Sequence, residues 1–325
     1  MMITYKRQTN NKPILFIMVG LPGSGKSNLA ERLRIEEGDD LYVAPVIHSS
    51  DNLREELFGD ANEQGNNQEL FTELHKRIKR DLLNGIDVIY DATNIDKKKR
   101  VSFLQELKKI PCYRVCVAVM TPYYQCVMWN RTRDRRVPDK VIRKMYKKWA
   151  PPEYREGFDD IQFFYNYGGV DKNERYDLVA YIDMLDSFDQ ENSNHTLTLG
   201  QHCKSAAAYI MKRYPNKPML YFSALLHDCG KPFTKTHINA KGDVDGECHY
   251  YQHHCVGAYD SLFFTDQMHL TYHQRVYIAN VIYYHMHPYN AWKQSEKAKA
   301  RDRVLMGEAL YHDVMRLHEA DVKAH

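Results

Sequence analysis

The chain has 325 residues, enough for two domains that each bury a core. Apolar residues make up 43% and charged residues 27%, an ordinary globular balance that excludes a disordered or fibrous chain. The net charge of +3 is too small to demand a nucleic-acid partner by itself, so any basic surface must be a local cluster.

Lys6 and Arg7 precede the apolar run 14–19, but that run is short and ends in a Gly-rich loop. It reads as a buried strand rather than a signal peptide. No run approaches the roughly 18 apolar residues of a membrane span, so no membrane partner is expected. The seven cysteines are odd in number and scattered, with no C-x-x-C pair, which fits a reducing cytoplasm. Histidine is unevenly spread: only His48 and His75 precede residue 190, and the other 14 of 16 follow it. The second half is therefore rich in candidate metal ligands.

Residues 14–182 read as alternating strands (14–19, 45–48, 87–90, 114–120, 178–182) and helices (26–33, 68–83, 97–108). This predicts an α/β fold, a parallel sheet flanked by helices. The polar stretch 186–194 predicts a domain boundary, giving domains 1–185 and 186–325. Beyond it, 201–214, 219–229, 254–264, 272–284 and 304–324 carry helical spacing, so the second domain is predicted all-α. A hairpin over 237–251 is expected to turn at Asp245-Gly246.

In the first half, Gly20-Leu-Pro-Gly23-Ser24-Gly25-Lys26-Ser27 matches the phosphate-binding G-x-x-x-x-G-K-[ST] between a strand and a helix. Glycines let backbone N–H groups close on phosphate oxygens of ATP, Lys26 reaches the outer phosphates, and Ser27 ligates Mg²⁺. Asp51 follows the second strand, where a carboxylate can serve as general base, and Arg54 lies one helical turn on, suited to a substrate phosphate. The alternative is that Asp51 caps the helix and Arg54 is solvated. Asp91 ends a buried strand and suits Mg²⁺ held through water; Thr93 and Asn94 follow as substrate contacts. The stretch Asn130-Arg131-Thr132-Arg133-Asp134-Arg135-Arg136-Val137-Pro138 continues through Lys140, Arg143, Lys144, Lys147 and Lys148. It reads as an arginine-bearing lid or as a solvated basic face, and its lysines would suit a nucleic-acid backbone.

This order of motifs resembles the phage polynucleotide 5′-kinase family over about residues 12–182. The resemblance implies that Asp51 is the general base and that Arg54 and Thr93 contact the acceptor's 3′-phosphate. Arg133 is the best match for the lid arginine, with Arg131 and Arg136 as rivals because the span to Val137-Pro138 is short.

In the second half an apolar helix ends in His227-Asp228, with Gly230 as its expected C-terminal cap and Pro232 as its stop. His202, His253, His285 and Asp321 stand on other apolar helices, where they are costly to bury unless paired or metal-bound. Mixed N/O ligation suits Mn²⁺, Fe²⁺, Co²⁺, Ni²⁺ or Zn²⁺, one or two ions. Lys231 is placed to stabilise phosphate charge. These residues resemble the HD phosphohydrolase superfamily over about 195–325. The resemblance implies core metal ligands His202, His227, Asp228 and Asp321, with Asp313 as the rival to Asp321. It makes His253 and His285 second-metal ligands or substrate contacts, and leaves His254, His287, His312 and His318 at the surface or in support. Asp243-Val-Asp245-Gly246 lacks the later Glu of a calcium loop and reads as a turn.

Together the two resemblances imply a bifunctional end-healing enzyme of a bacterial or phage-infected cell. It would phosphorylate a 5′-OH and open or remove a 2′,3′-cyclic phosphate. Its partners would be RNA or DNA ends and a separate ligase. Bacterial end-healing enzymes that pair these domains carry the HD module first, whereas here it is second. Two other readings stay open: a nucleoside or nucleotide kinase fused to a nucleotide phosphohydrolase, and a kinase with a non-catalytic HD module that binds RNA.

Overall fold

The computed structural model describes residues 12–37, 44–60, 66–169, 171–172, 176–193 and 196–324. Lys6, Arg7, Asn194 and His195 lie outside them. The chain forms two compact units, one of residues 1–145 and 156–168, the other of 146–155 and 169–325.

The first unit holds a five-stranded parallel sheet, β1 (Ile14–Val19), β2 (Val46–Ser49), β3 (Val88–Asp91), β4 (Tyr113–Met120) and β5 (Asp160–Tyr165), in the order β2-β3-β1-β4-β5. Strand β1 is central and buried on both faces, which is why ILFIMV is apolar throughout rather than alternating. The chain leaves β1 for β2 on one side and reaches β4 on the other, so the carboxyl ends of β1, β2 and β3 open on one crevice. Helix Lys26–Glu37 packs Leu29, Ala30 and Leu33 onto Ile14, Phe16 and Met18.

The fifth strand differs from the expectation. Segment 178–182 is not a strand but the start of helix Leu178–Asp186, because Asp177 caps it by accepting from Ala180 N. The sheet's edge is β5 instead, pairing in register with β4.

Among the described residues, the second unit's regular structure is helical apart from one hairpin. Helices Leu199–Arg213, Pro218–Leu226, Tyr272–Tyr284 and Glu296–Lys323 share a core that includes Ala206, Ile210, Leu220, Ala224, Val281 and Leu317. Thr198 with Gln201, and Thr271 with Gln274, close reciprocal capping boxes at two helix starts. The expected boundary at 185/186 falls inside this unit. Ile182 and Leu185 pack on Leu199 and Cys203, so the polar stretch joins two helices of one core. The hairpin pairs β6 (Thr236–Ile238) with β7 (Val244–His249). It turns at Asn239–Asp243, where Asn239 Oδ1 accepts from Lys241 N and Asp243 N, and Asp245-Gly246 lies within β7. No helix among the described residues is long and apolar enough to cross a membrane.

Candidate functional site

The loop after β1 is held by positive φ at Gly23 (78°) and Gly25 (89°), and a Cβ on Gly23 would run into the Cys126 carbonyl. Lys26 Nζ donates to Leu21 O at 2.8 Å, and Ser27 Oγ donates to Asp91 Oδ2 at 2.7 Å. Burial lowers the pKa of Lys26, against the pull of Asp91; Arg133 and Asp51 are near enough to act on it as well. The four charged groups therefore converge on one place. A pocket of about 580 Å³ opens there, lined by Gly25, Lys26, Ser27, Arg32, Trp129, Thr132, Arg133 and Asn166 among others. Its size suits a nucleotide. Ser27 and Asp91 form an oxygen pair that fits Mg²⁺.

Helix Ser50–Phe58 is capped by Ser49, whose hydroxyl accepts from Asp51 N and Asn52 N. The alternative in which Asp51 caps is thereby overturned, and its carboxylate faces Arg135 Nη1 in an ion pair. Nor is Arg54 solvated: it is buried, and its Nη2 donates to Asn67 Oδ1 at 3.0 Å. Behind Asp91, Gly20 N donates to Thr93 O, and Asn94 turns its amide to Met18 O at 2.9 Å with φ 44°. Asn94 thus ties the loop after β3 to β1 rather than pointing at a substrate. The same loop is braced by the fully buried Arg100–Glu156 pair, both N–O contacts at 2.8 Å, with Arg100 Nη1 on Asn94 O. Asn130 ties the base of the basic loop together, giving Nδ2 to Val137 O and taking Val137 N on Oδ1. Within that loop Arg133 lines the pocket, Arg131 is exposed and paired with Asp139, and Arg136 bonds Arg133 O.

In the second unit four histidines and two aspartates meet in the interior. Asp228 Oδ1 lies 3.0 Å from His253 Nε2 and 3.5 Å from His285 Nε2. Its Oδ2 lies 3.4 Å from His227 Nε2, 3.7 Å from His202 Nε2 and 2.7 Å from Lys231 Nζ. Asp321 Oδ1 closes on His202 (3.0 Å) and His227 (3.5 Å). Asp313 lies elsewhere, paired with Lys217 and Arg316.

Three of the rings are fixed by what their other nitrogen does. His227, His253 and His285 each give Nδ1–H to a backbone carbonyl, those of Ala224, Tyr250 and Ile282, at 2.6–2.7 Å. A carbonyl can only accept, so Nδ1 carries a proton in each ring, and in the neutral ring the Nε2 lone pair faces inward. His253 and His285 Nε2 then face each other at 3.1 Å, and His202 and His227 Nε2 at 3.2 Å. Facing lone pairs repel unless a cation stands between them, so the donor set fits one or two divalent ions. The electrostatics agree. Burial opposes the charged form of Asp228, but Lys231, His227 and His253 outweigh it and hold the carboxylate well below its ordinary value. Burial brings His285 down to about 4, which leaves its Nε2 unprotonated, whereas at His227 Asp228 outweighs burial and keeps the imidazolium well above the usual range, a proton that a bound ion would displace.

Residues 15–152 match the family model described as AAA domain. Among curated proteins the chain is 26% identical over 194 residues to the L-seryl-tRNA(Sec) kinase of Methanococcus maripaludis, covering 57% of this chain and 69% of that one. It is 23% identical over 159 residues to Protein kti12 of Schizosaccharomyces pombe, covering 46% and 56%. Among solved structures, a chain of the Pnkp1/Rnl/Hen1 complex is 26% identical with a TM-score of 0.32, covering 41% of this chain and 43% of that one. The chain thus spans about half the length of the latter two. The first unit is a P-loop kinase domain.

In the first unit the sequence singled out the phosphate loop, Asp51 and Asp91, which the structure brings near Lys26, but missed Arg135, whose place in the basic stretch was the only clue. It also missed Asn166, at the end of an unforeseen strand, and Tyr289, which gives its hydroxyl to Asp321 Oδ2 at 2.9 Å. His318 packs edge-on against Tyr289, and His254 and His287 stand in contact with one another behind His285. Helix Pro218–Leu226 stops before His227, and Gly230 is not its left-handed cap: φ is −83°. Glycine is needed there because a Cβ would strike His253 O and Gly257 N. That close approach brings the segment of Asp228 against the segment of His253. Pro232 lies inside the short helix Lys231–Thr234 rather than ending a longer one.

Proposed function

We propose that this chain heals nucleic-acid ends: the kinase domain phosphorylates a 5′-OH, and the histidine-rich unit hydrolyses a terminal phosphoester such as a 2′,3′-cyclic phosphate. The observation that carries it is Asp228, whose two oxygens each serve a facing pair of histidines, in a chain that also has a P-loop kinase domain. Lys26 would leave Leu21 O for the phosphates of ATP, with Mg²⁺ on Ser27 and Asp91. Asp51 would take the proton of the attacking hydroxyl once Arg135 moves from it to the transferring phosphate. The relative named L-seryl-tRNA(Sec) kinase carries, by its name, an acceptor attached to RNA, which supports an RNA-borne hydroxyl. In the second unit His202, His227, Asp228 and Asp321 would hold one ion, and Asp228, His253 and His285 another. Divalent ions supply Lewis acidity and lower the pKa of water. Lys231, 2.7 Å from Asp228, would neutralise phosphate charge.

The test is a short RNA with 5′-OH and 2′,3′-cyclic phosphate ends, incubated with ATP, Mg²⁺ and Mn²⁺. Wild type should add a 5′-phosphate and process the 3′ end. Lys26→Ala should lose only the first reaction, by about 10²–10³-fold or more. A bare 5′ end alongside phosphorylated free nucleosides would refute the polynucleotide reading.

A further inference from the structure

A third group of potential ligands lies outside both sites. His237 on β6, Cys248 on β7 and Glu191 on the preceding connection place their donor atoms together. Cys248 Sγ is 3.4 Å from Glu191 Oε2 and lies 3.5 Å from Nδ1 and 3.7 Å from Nε2 of His237, and that Nε2 is 3.8 Å from Glu191 Oε2. For a tetrahedral zinc with Zn–S near 2.3 Å and Zn–N or Zn–O near 2.0–2.1 Å, ligand–ligand edges come to about 3.3–3.6 Å. The three atoms already outline one face of such a tetrahedron, to within a few tenths of an ångström.

The backbone is shaped for this meeting. The β6–β7 register shifts between Thr236 and Ile238, at His237, and a bulge re-aims a side chain. Glu191 has φ 45°, uncommon for a residue with a Cβ, while its carbonyl accepts from Cys248 N at 2.8 Å. Lys235 occupies Oε1 of Glu191 at 2.6 Å and leaves Oε2 toward the thiol and imidazole. Cys248 is buried whereas His237 is exposed, so water can reach a fourth position.

We propose that Glu191, His237 and Cys248 bind zinc and thereby clamp the hairpin to the connection before helix Leu199–Arg213. A thiolate, an imidazole and a carboxylate together favour zinc over magnesium or calcium. The clamp has a use. Gln190, one residue before Glu191, takes Lys231 Nζ on its Oε1 at 2.7 Å, and its carbonyl takes the Tyr250 hydroxyl. Tyr250 in turn supplies the carbonyl that orients His253. Fixing Glu191 and Cys248 therefore fixes the supports of Lys231 and His253, whether or not the histidine centre hydrolyses phosphoesters.

Cobalt titration of the full chain tests this, because a cobalt–thiolate bond gives a near-ultraviolet charge-transfer band that histidine and carboxylate ligands do not. The band should appear in wild type and persist in Asp228→Ala, which lacks the ligand shared in the histidine centre. It should vanish in Cys248→Ser and weaken in His237→Ala, an exposed position that folding tolerates. Zinc content should fall by one equivalent in Cys248→Ser. A wild type with no band, or a band unchanged in both Cys248→Ser and His237→Ala, would overturn the assignment.

Discussion

The two units gather charge in different ways. The kinase domain places Lys26 and Ser27 in one contiguous loop at a helix start, and Asp91 reaches them from the end of β3. The histidine-rich unit draws single side chains from well-separated segments, so that His202 and Asp321 are 119 residues apart in sequence yet 3.0 Å apart in space. A loop of the first kind tolerates change at its rim. A centre of the second kind stands on whichever residue all the others share, and here that residue is Asp228.

The sharpest way to break this contrast is Asp228→Ala. Phosphoester hydrolysis should fall by more than about 10²-fold, beyond the loss typical of an outer supporting residue, and bound metal should fall with it. Kinase turnover should stay within about twofold, because Asp228 shares no partner with Lys26, Ser27 or Asp91. Metal analysis beside both assays decides; equal loss of the two activities would mean the units are not chemically separate.

A somewhat smaller effect is expected in the lid. Arg135→Ala should lower the single-turnover kinase rate by about 10²-fold, since it removes the guanidinium paired with Asp51, the proposed base. Arg131→Ala should change it less than about twofold, because Arg131 is two-thirds exposed and engaged in a surface pair with Asp139. The reverse ranking would return the lid role to another arginine of the stretch.

The smallest change is Tyr289→Phe, which deletes the hydroxyl on Asp321 Oδ2 and leaves the ring against His318. A loss of about tenfold in metal affinity is expected, read by competition with a chelator dye. No change would mean that His202 and His227 alone orient Asp321.

The phosphate loop was legible because its chemistry is contiguous: glycine, lysine and serine spacing states the turn and the ligands together. The histidines and aspartates that meet in the second unit were legible as a group, but not in their pairing. Which oxygen of Asp228 meets which ring depends on carbonyls of Ala224, Tyr250 and Ile282 that no side chain announces. Arg135 could not be singled out because residues 132–138 are irregular and have no period that phases one arginine against the next. Segment 178–182 carries an apolar pattern that suits strand and helix alike, and the cap at Asp177 settled it. The true fifth strand was hidden because the chain makes a detour before forming it.

That detour has a consequence for how the protein is made. Residues 146–155 belong with the second unit, where Tyr146 gives its hydroxyl to Asp260 and Trp149 stands edge-on to Tyr259. Only afterwards does Glu156 return to Arg100 and β5 complete the sheet. On the ribosome the kinase sheet is thus finished about a hundred residues before the partners of Tyr146 and Trp149 emerge, and those two rings must wait in water. No single cut frees one unit intact: any fragment long enough to keep β5 also keeps two aromatic side chains stripped of their cover.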